Sequence, residues 1–216
     1  MKKKIAAVAV ILSLVSIAAM GTMAYFTDSA VAHNVITSGN IDIEVVEQQR
    51  NADESLVDYP VDEKGNPVAI SAMPGQTVSK IVTVKNNDEP AYIRAKFEVV
   101  AYKLVDKEQS PIKDGVITVP TDVITVPTNT AWEKGKDGWY YYNAPVEKGG
   151  VTAPLFSEVQ FSGPNMGNEY QGATVEINIS AEAVQAANAP SKNDNPVTSA
   201  IDVDPKIWPT QPALPE

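Results

Sequence analysis

The side chains that most often carry out chemistry are scarce in this chain. A single imidazole, His33, stands in His33-Asn34-Val35-Ile36-Thr37, and none of the 216 residues is cysteine. Catalytic zinc generally takes three protein ligands from His, Cys, Asp and Glu and leaves one position to water. His33 lacks the glutamate and second histidine of a His-Glu-x-x-His helix, so it reads as a packing or solvent-facing residue. A hydroxyl nucleophile is no better served, because there is no Gly-x-Ser-x-Gly elbow and His33 would have to be the base. Asp202 with Asp204, and Glu133 with Asp137, could offer oxygen to Ca²⁺, but neither pair has the length or spacing of an EF-hand loop. These carboxylates are expected to be solvated surface. Gly149-Gly150 and Gly163-Pro164 lack the strand, glycine loop and helix of a phosphate site and read as turns. The sequence therefore assigns no catalytic residue, no metal ligand and no cofactor. What remains is Trp139-Tyr140-Tyr141-Tyr142, which could stack a sugar or line a partner interface. At strand spacing, Trp139 and Tyr141 share one face and Tyr140 and Tyr142 the other, so at least one pair is expected in the core.

The charge balance narrows the partners. With 17 Lys+Arg against 27 Asp+Glu, the net charge is −10, which opposes the clustered basic residues that nucleic-acid binding needs. No nucleic-acid partner is expected. The 44% of apolar residues fits a folded globular chain with one core.

The N-terminus sets the compartment. Lys2, Lys3 and Lys4 precede the uncharged run 5–20 and the small-residue stretch Gly21-Thr22-Met23-Ala24, the three regions of a secretory signal. The run is shorter than the ~20 residues of a permanent spanning helix. Residues 1–24 are accordingly read as a signal peptide, cut after Ala24 with Thr22 and Ala24 as its small residues, so that the mature chain starts at Tyr25. Loss of the three lysines leaves the exported chain still more acidic. Without disulfides it must be held by packing or assembly.

The mature chain reads as strands. Ile41, Ile43 and Val45 alternate, residues 78–84 are rich in Val, Ile and Thr, and residues 91–104 place Ile93, Ala95, Phe97, Val99 and Ala101 on one face. Residues 139–142, 155–161 and 174–184 add three more strands. Between the first two strands, residues 47–76 read as a long polar connection with turns at Lys64-Gly65-Asn66-Pro67 and Met73-Pro74-Gly75-Gln76. Val-Ile-Thr-Val-Pro at 116–120 returns at 123–127, a two-copy echo whose prolines favour edges or loops. Six of the 16 prolines follow Ala189, a density that marks 189–216 as a tail outside the core. Short strands, frequent turns and no convincing helix predict an all-β antiparallel sandwich over 38–188, preceded by an N-terminal segment 25–37.

Several blocks carry a resemblance over most of residues 1–188. They are Gly21-Thr22-Met23-Ala24-Tyr25-Phe26-Thr27-Asp28 followed by Ser38-Gly39-Asn40-Ile41-Asp42-Ile43; Met73-Pro74-Gly75-Gln76; Val84-Lys85-Asn86-Asn87 with Ala91-Tyr92-Ile93-Arg94; and Tyr170-Gln171-Gly172 leading to Ala181-Glu182-Ala183-Val184. Together they resemble the exported proteins processed by the dedicated signal peptidase SipW, a family that includes the TasA and camelysin (CalY) groups. The chain departs from the TasA group in the Val-Ile-Thr-Val-Pro echo, the aromatic strand and the proline-rich tail. The resemblance implies a jelly-roll-like sandwich and a secreted protein of the cell surface or extracellular matrix, with the signal peptidase as its partner during export. Like the TasA group, it would self-associate into fibres by strand addition, alone or with other envelope or matrix components. Tyr25, Phe26, Val31, Val35 and Ile36 would be the assembling residues of a donor strand. The camelysin group implies the alternative, a cell-surface metallopeptidase.

Overall fold

The computed structural model describes residues 27–31, 34–38, 41–63, 65–71, 73–104, 111–167, 170 and 173–209. The expected signal peptide, with Thr22 and Ala24, lies outside the described residues, as do Tyr25, Phe26, His33 and the chain from 210. In chain order the strands are β1 (Thr27–Val31), β2 (Asn34–Ser38), β3 (Ile43–Arg50), β4 (Leu56–Asp58), β5 (Ile70–Ser71), β6 (Thr77–Asn86) and β7 (Ala91–Leu104). They continue with β8 (Pro111–Thr118), β9 (Ile124–Thr125), β10 (Trp132–Lys134), β11 (Tyr140–Tyr142), β12 (Phe156–Phe161) and β13 (Ala173–Gln185). The described helical elements include two single 3₁₀ turns, Ala200–Asp202 and Pro205–Ile207.

Two antiparallel sheets result. One runs β10-β11-β7-β13-β1-β2, with β5 added to β13 and β8 to β7; the other runs β4-β3-β6-β12-β9. The all-β sandwich read from the sequence is the observed class. Its spine is the ladder between the two longest strands, from Ala91↔Gln185 to Lys103↔Ala173. Both strands alternate strictly, so Ile93 and Ala95 of β7 and Val175, Ile177 and Ile179 of β13 face inward. From the second sheet Ile43, Val82, Val84 and Val159 meet them in one core, and Phe97 contacts Phe156 edge-on across the gap at 5.2 Å.

Turn chemistry follows the residues. In Met73-Pro74-Gly75-Gln76 the Gln76 amide donates to the Met73 carbonyl at 3.1 Å, and Gly75 takes φ +77°, which a side chain would resist. The Val-Ile-Thr-Val-Pro echo spans the two sheets: its first copy ends β8 on the first sheet and its second supplies β9 on the other. Pro120 sits at the crossing, its carbonyl accepting from the Val123 and Ile124 amides.

Two expectations are corrected. The polar connection 47–76 is not merely surface loop, because it begins with the last residues of β3, contains β4 and β5, and buries Tyr59. The described part of the proline-rich tail, residues 189–209, does not lie outside the folded body, since Ala200, Val203 and Trp208 are buried on the first sheet. Proline blocks a ladder but not docking, and the apolar residues between the prolines supply the contact.

Candidate functional site

The outer face of the first sheet should be polar, and part of it is: Glu98, Glu176 and Asn178 are exposed. Within its buried part lies one charged cross-strand row. Register places Tyr141 of β11 opposite Arg94 of β7, and Arg94 opposite Glu182 of β13. All three are buried, so a cation and an anion have been taken out of water on the face where solvent was expected.

Compensation is concentrated on the guanidinium. Arg94 Nε donates to Glu182 Oε2 at 2.8 Å and Nη2 approaches the same oxygen at 2.6 Å. Nη1 donates to the Tyr141 hydroxyl at 3.2 Å, and that hydroxyl donates onward to Asp137 Oδ2 at 2.6 Å. The indoles of Trp139 and Trp208 lie 4.4 and 4.6 Å from the guanidinium carbon, and Trp208 meets Tyr141 edge-on at 5.8 Å. A planar, weakly hydrated cation suits this setting. Glu182 Oε1 and Trp208 Nε1, by contrast, are buried without a hydrogen-bond partner. Burial pushes the Glu182 carboxyl above its usual range even though Arg94 pulls it down. Burial also pushes the Tyr141 phenol up, with its bond to Asp137 acting in the same direction, so it stays a protonated donor.

The cover is the chain after β13, residues 186–209. The Ala186 amide donates to the Pro90 carbonyl, Lys192 to Asp202 and Asp204 to Pro190, which folds the segment back on itself as a strap. Asp202 Oδ2 accepts from the amides and hydroxyls of both Thr198 and Ser199. Burial opposes its charge, but those bonds outweigh burial and hold the carboxyl below its usual range. The strap is tethered by the Tyr92 hydroxyl, which donates to the Val197 carbonyl at 2.8 Å.

Both aromatic pairs of the 139–142 run are therefore used. Tyr140 stacks on Phe97 and Tyr142 packs against Trp132 at the core, while Trp139 and Tyr141 lie under the strap. Of the assembly candidates, Val31, Val35 and Ile36 fall within described strands. Val31 is in β1, where it pairs with Ser180, and Val35 and Ile36 are in β2, opposite Ala30 and Ser29. Arg94 and Glu182 were not singled out by sequence reasoning as a pair. The available signal was a charged residue at an outward position on each of two otherwise alternating strands, which is ordinary for a solvated face.

The fold and this row define a two-sheet antiparallel β-sandwich whose outer face is covered in part by the strap. The chain belongs to the camelysin metallo-endopeptidase family, whose model matches residues 1–189; members are cell-surface or secreted proteins. The strap from Pro190 onward lies beyond the matched residues. No curated protein and no solved structure matches the chain.

The family's description implies a metal, and the donors among the described residues do not fit one. The chain offers no cysteine and one histidine, and among the described residues no three of His, Asp and Glu come together in a group that could hold an ion. Three of the four carboxylates paired in the sequence are turned to protein donors: Asp202 to Thr198 and Ser199, Asp204 to the Lys206 amide, Asp137 to Tyr141 and the Trp139 amide. No reaction step through a metal is derived for this chain.

Proposed function

We propose that this protein is an exported structural subunit of the cell surface or extracellular matrix, which self-assembles by exchanging its N-terminal strand and has no peptidase activity of its own. The observation that carries the reading is the position of β1. It pairs with residues 180–184 of β13 through Thr27↔Val184 to Val31↔Ser180, and its other edge carries only β2. A five-residue strand near the end of the chain, lying along the edge of a long one, can be supplied equally well by a neighbouring molecule, because the ladder uses backbone groups. The contact is then head-to-tail and does not close, which propagates a filament. Cleavage of the signal frees this strand for exchange. Deletion of residues 25–36 is expected to leave a folded monomer that no longer elongates in negative-stain microscopy. Filaments of unchanged length and yield would overturn the reading, as would casein cleavage by the pure protein that a chelator abolishes.

A further inference from the structure

We propose that residues 190–209 form a clamp that keeps the acceptor end of β13 attached to β7 when β1 departs, and so sets whether the vacated slot can receive a strand from another chain. The inference rests on the strand-exchange reading above.

Its starting point is an asymmetry within β13. The half running through Val175, Ile177 and Ile179 anchors itself in the core with branched side chains, whereas residues 180–184 present only Ala181 and Ala183 inward. Two methyl groups bury little apolar surface, and burial sets the strength of the anchor. Along the same five residues one edge belongs to β7 and the other to β1. Once β1 leaves, the inner face contributes little, and the β7 ladder alone is left to hold this end unless the outer face is also secured.

The outer face is where this end is secured. Glu182 and Val184 are both fully buried there, Glu182 against Arg94 and Val184 within the cluster formed by Ala200, Val203 and Trp208. The strap grips three strands at once: β7 through Tyr92 and Arg94, β11 through Tyr141, and β13 through Val184. Trp208 supplies one of the two indoles on Arg94, whose donors fix Glu182. In register, Glu182 faces Arg94 on one side and Ser29 of β1 on the other, so the strap's grip acts on the same residue whose other edge receives the exchanging strand.

The test uses the mature chain, residues 25–216, as wild type, Trp208→Ala, Trp208→Phe and Tyr92→Phe. Amide hydrogen exchange is read residue by residue, and elongation is followed by light scattering. In Trp208→Ala, exchange at residues 181–185 is expected to speed up about tenfold or more, with Val82 and Val84 unchanged, as for opening of a local unit. Elongation is expected to slow by a similar factor, Trp208→Phe to recover part of both, and Tyr92→Phe to give a smaller loss in the same residues. Wild-type exchange at 181–185 in Trp208→Ala would overturn the clamp, and so would a loss of protection spread equally over β6, which would make Trp208 a general stability residue. Local deprotection with undiminished elongation would also overturn it. A wild-type chain that never elongates would instead overturn strand exchange itself.

Discussion

Arg94 with Glu182, and Lys80 with Glu47, each join a basic residue to a glutamate on the neighbouring antiparallel strand, the first pair buried and the second partly so. They are nevertheless built differently. Glu47 continues the inward alternation of Ile43 and Val45 along β3, and Lys80 reaches it from β6 at 2.5 Å beneath the ring of Tyr59, 3.7 Å from the ammonium. That ammonium has one carboxylate oxygen and one ring. The Arg94 guanidinium has a carboxylate on two of its nitrogens, a phenol on the third and two indoles within 4.6 Å of its central carbon. The difference follows from chemistry: a lysine can shed its proton when desolvated, whereas an arginine stays charged and must be compensated by what surrounds it. Burial does push the Lys80 amine below its usual range, against the pull of Glu47. Each glutamate is left with one buried oxygen unpartnered, Oε1 in both cases.

The sharpest way to break this comparison is to remove each glutamate. Glu182→Ala leaves a permanent cation buried without its main acceptor and is expected to cost about 3–5 kcal/mol, the range for breaking a buried pair. Glu47→Ala is expected to cost less, about 2–3 kcal/mol, because Lys80 can deprotonate in place. Urea denaturation midpoints of the two variants, read with their m-values, check both. Equal losses would mean that the freedom of lysine to neutralise has no effect here. Glu182→Gln, which keeps a carbonyl oxygen for Arg94, should fall well short of the alanine loss.

How much of this was legible beforehand depends on the range of each interaction. The long strands β7 and β13 were readable because alternation is a property of neighbouring residues: Ile93, Ala95 and Phe97 announce their face without knowledge of a partner. The Arg94–Glu182 pair was not, since it joins residues 88 positions apart, and only the β7–β13 register brings them opposite. The strap was hidden for a different reason. Its proline density resembles that of an unpacked tail, yet Val203 and Trp208 are the kind of side chains that dock. Trp208, a large aromatic residue in this proline-rich segment, was the clearest local sign. Tyr59 gave the same sign within the polar connection 47–76. For the candidate site as a whole, the sequence correctly marked the 139–142 run as partly buried, but the surface that buries Trp139 and Tyr141 comes from the far end of the chain.

The smallest effects are pH limbs, and they distinguish the two pairs by where they fall. Glu182 has a folded pKa above its unfolded one, so the folded state holds the extra proton. Its contribution is fully present below the unfolded value and is lost as pH rises through the folded value. Lys80 has a folded pKa below its unfolded one, so the unfolded chain holds the extra proton between the two values, and stability rises with pH across that alkaline window. Either limb has a slope of at most about 1.4 kcal/mol per pH unit for the single proton involved. Asp202, whose folded pKa is lowered, contributes the opposite trend in acid, losing stability as pH falls, so each limb must be read as a difference from a variant. Wild type minus Glu182→Gln should decline from about pH 4 toward neutrality and be flat in alkali. Wild type minus Lys80→Met should be flat in acid and rise toward the ordinary lysine range. If the acid decline is the same with Lys80→Met as the reference, another carboxylate produces it, and the desolvation of Glu182 beneath the strap is not what sets this limb.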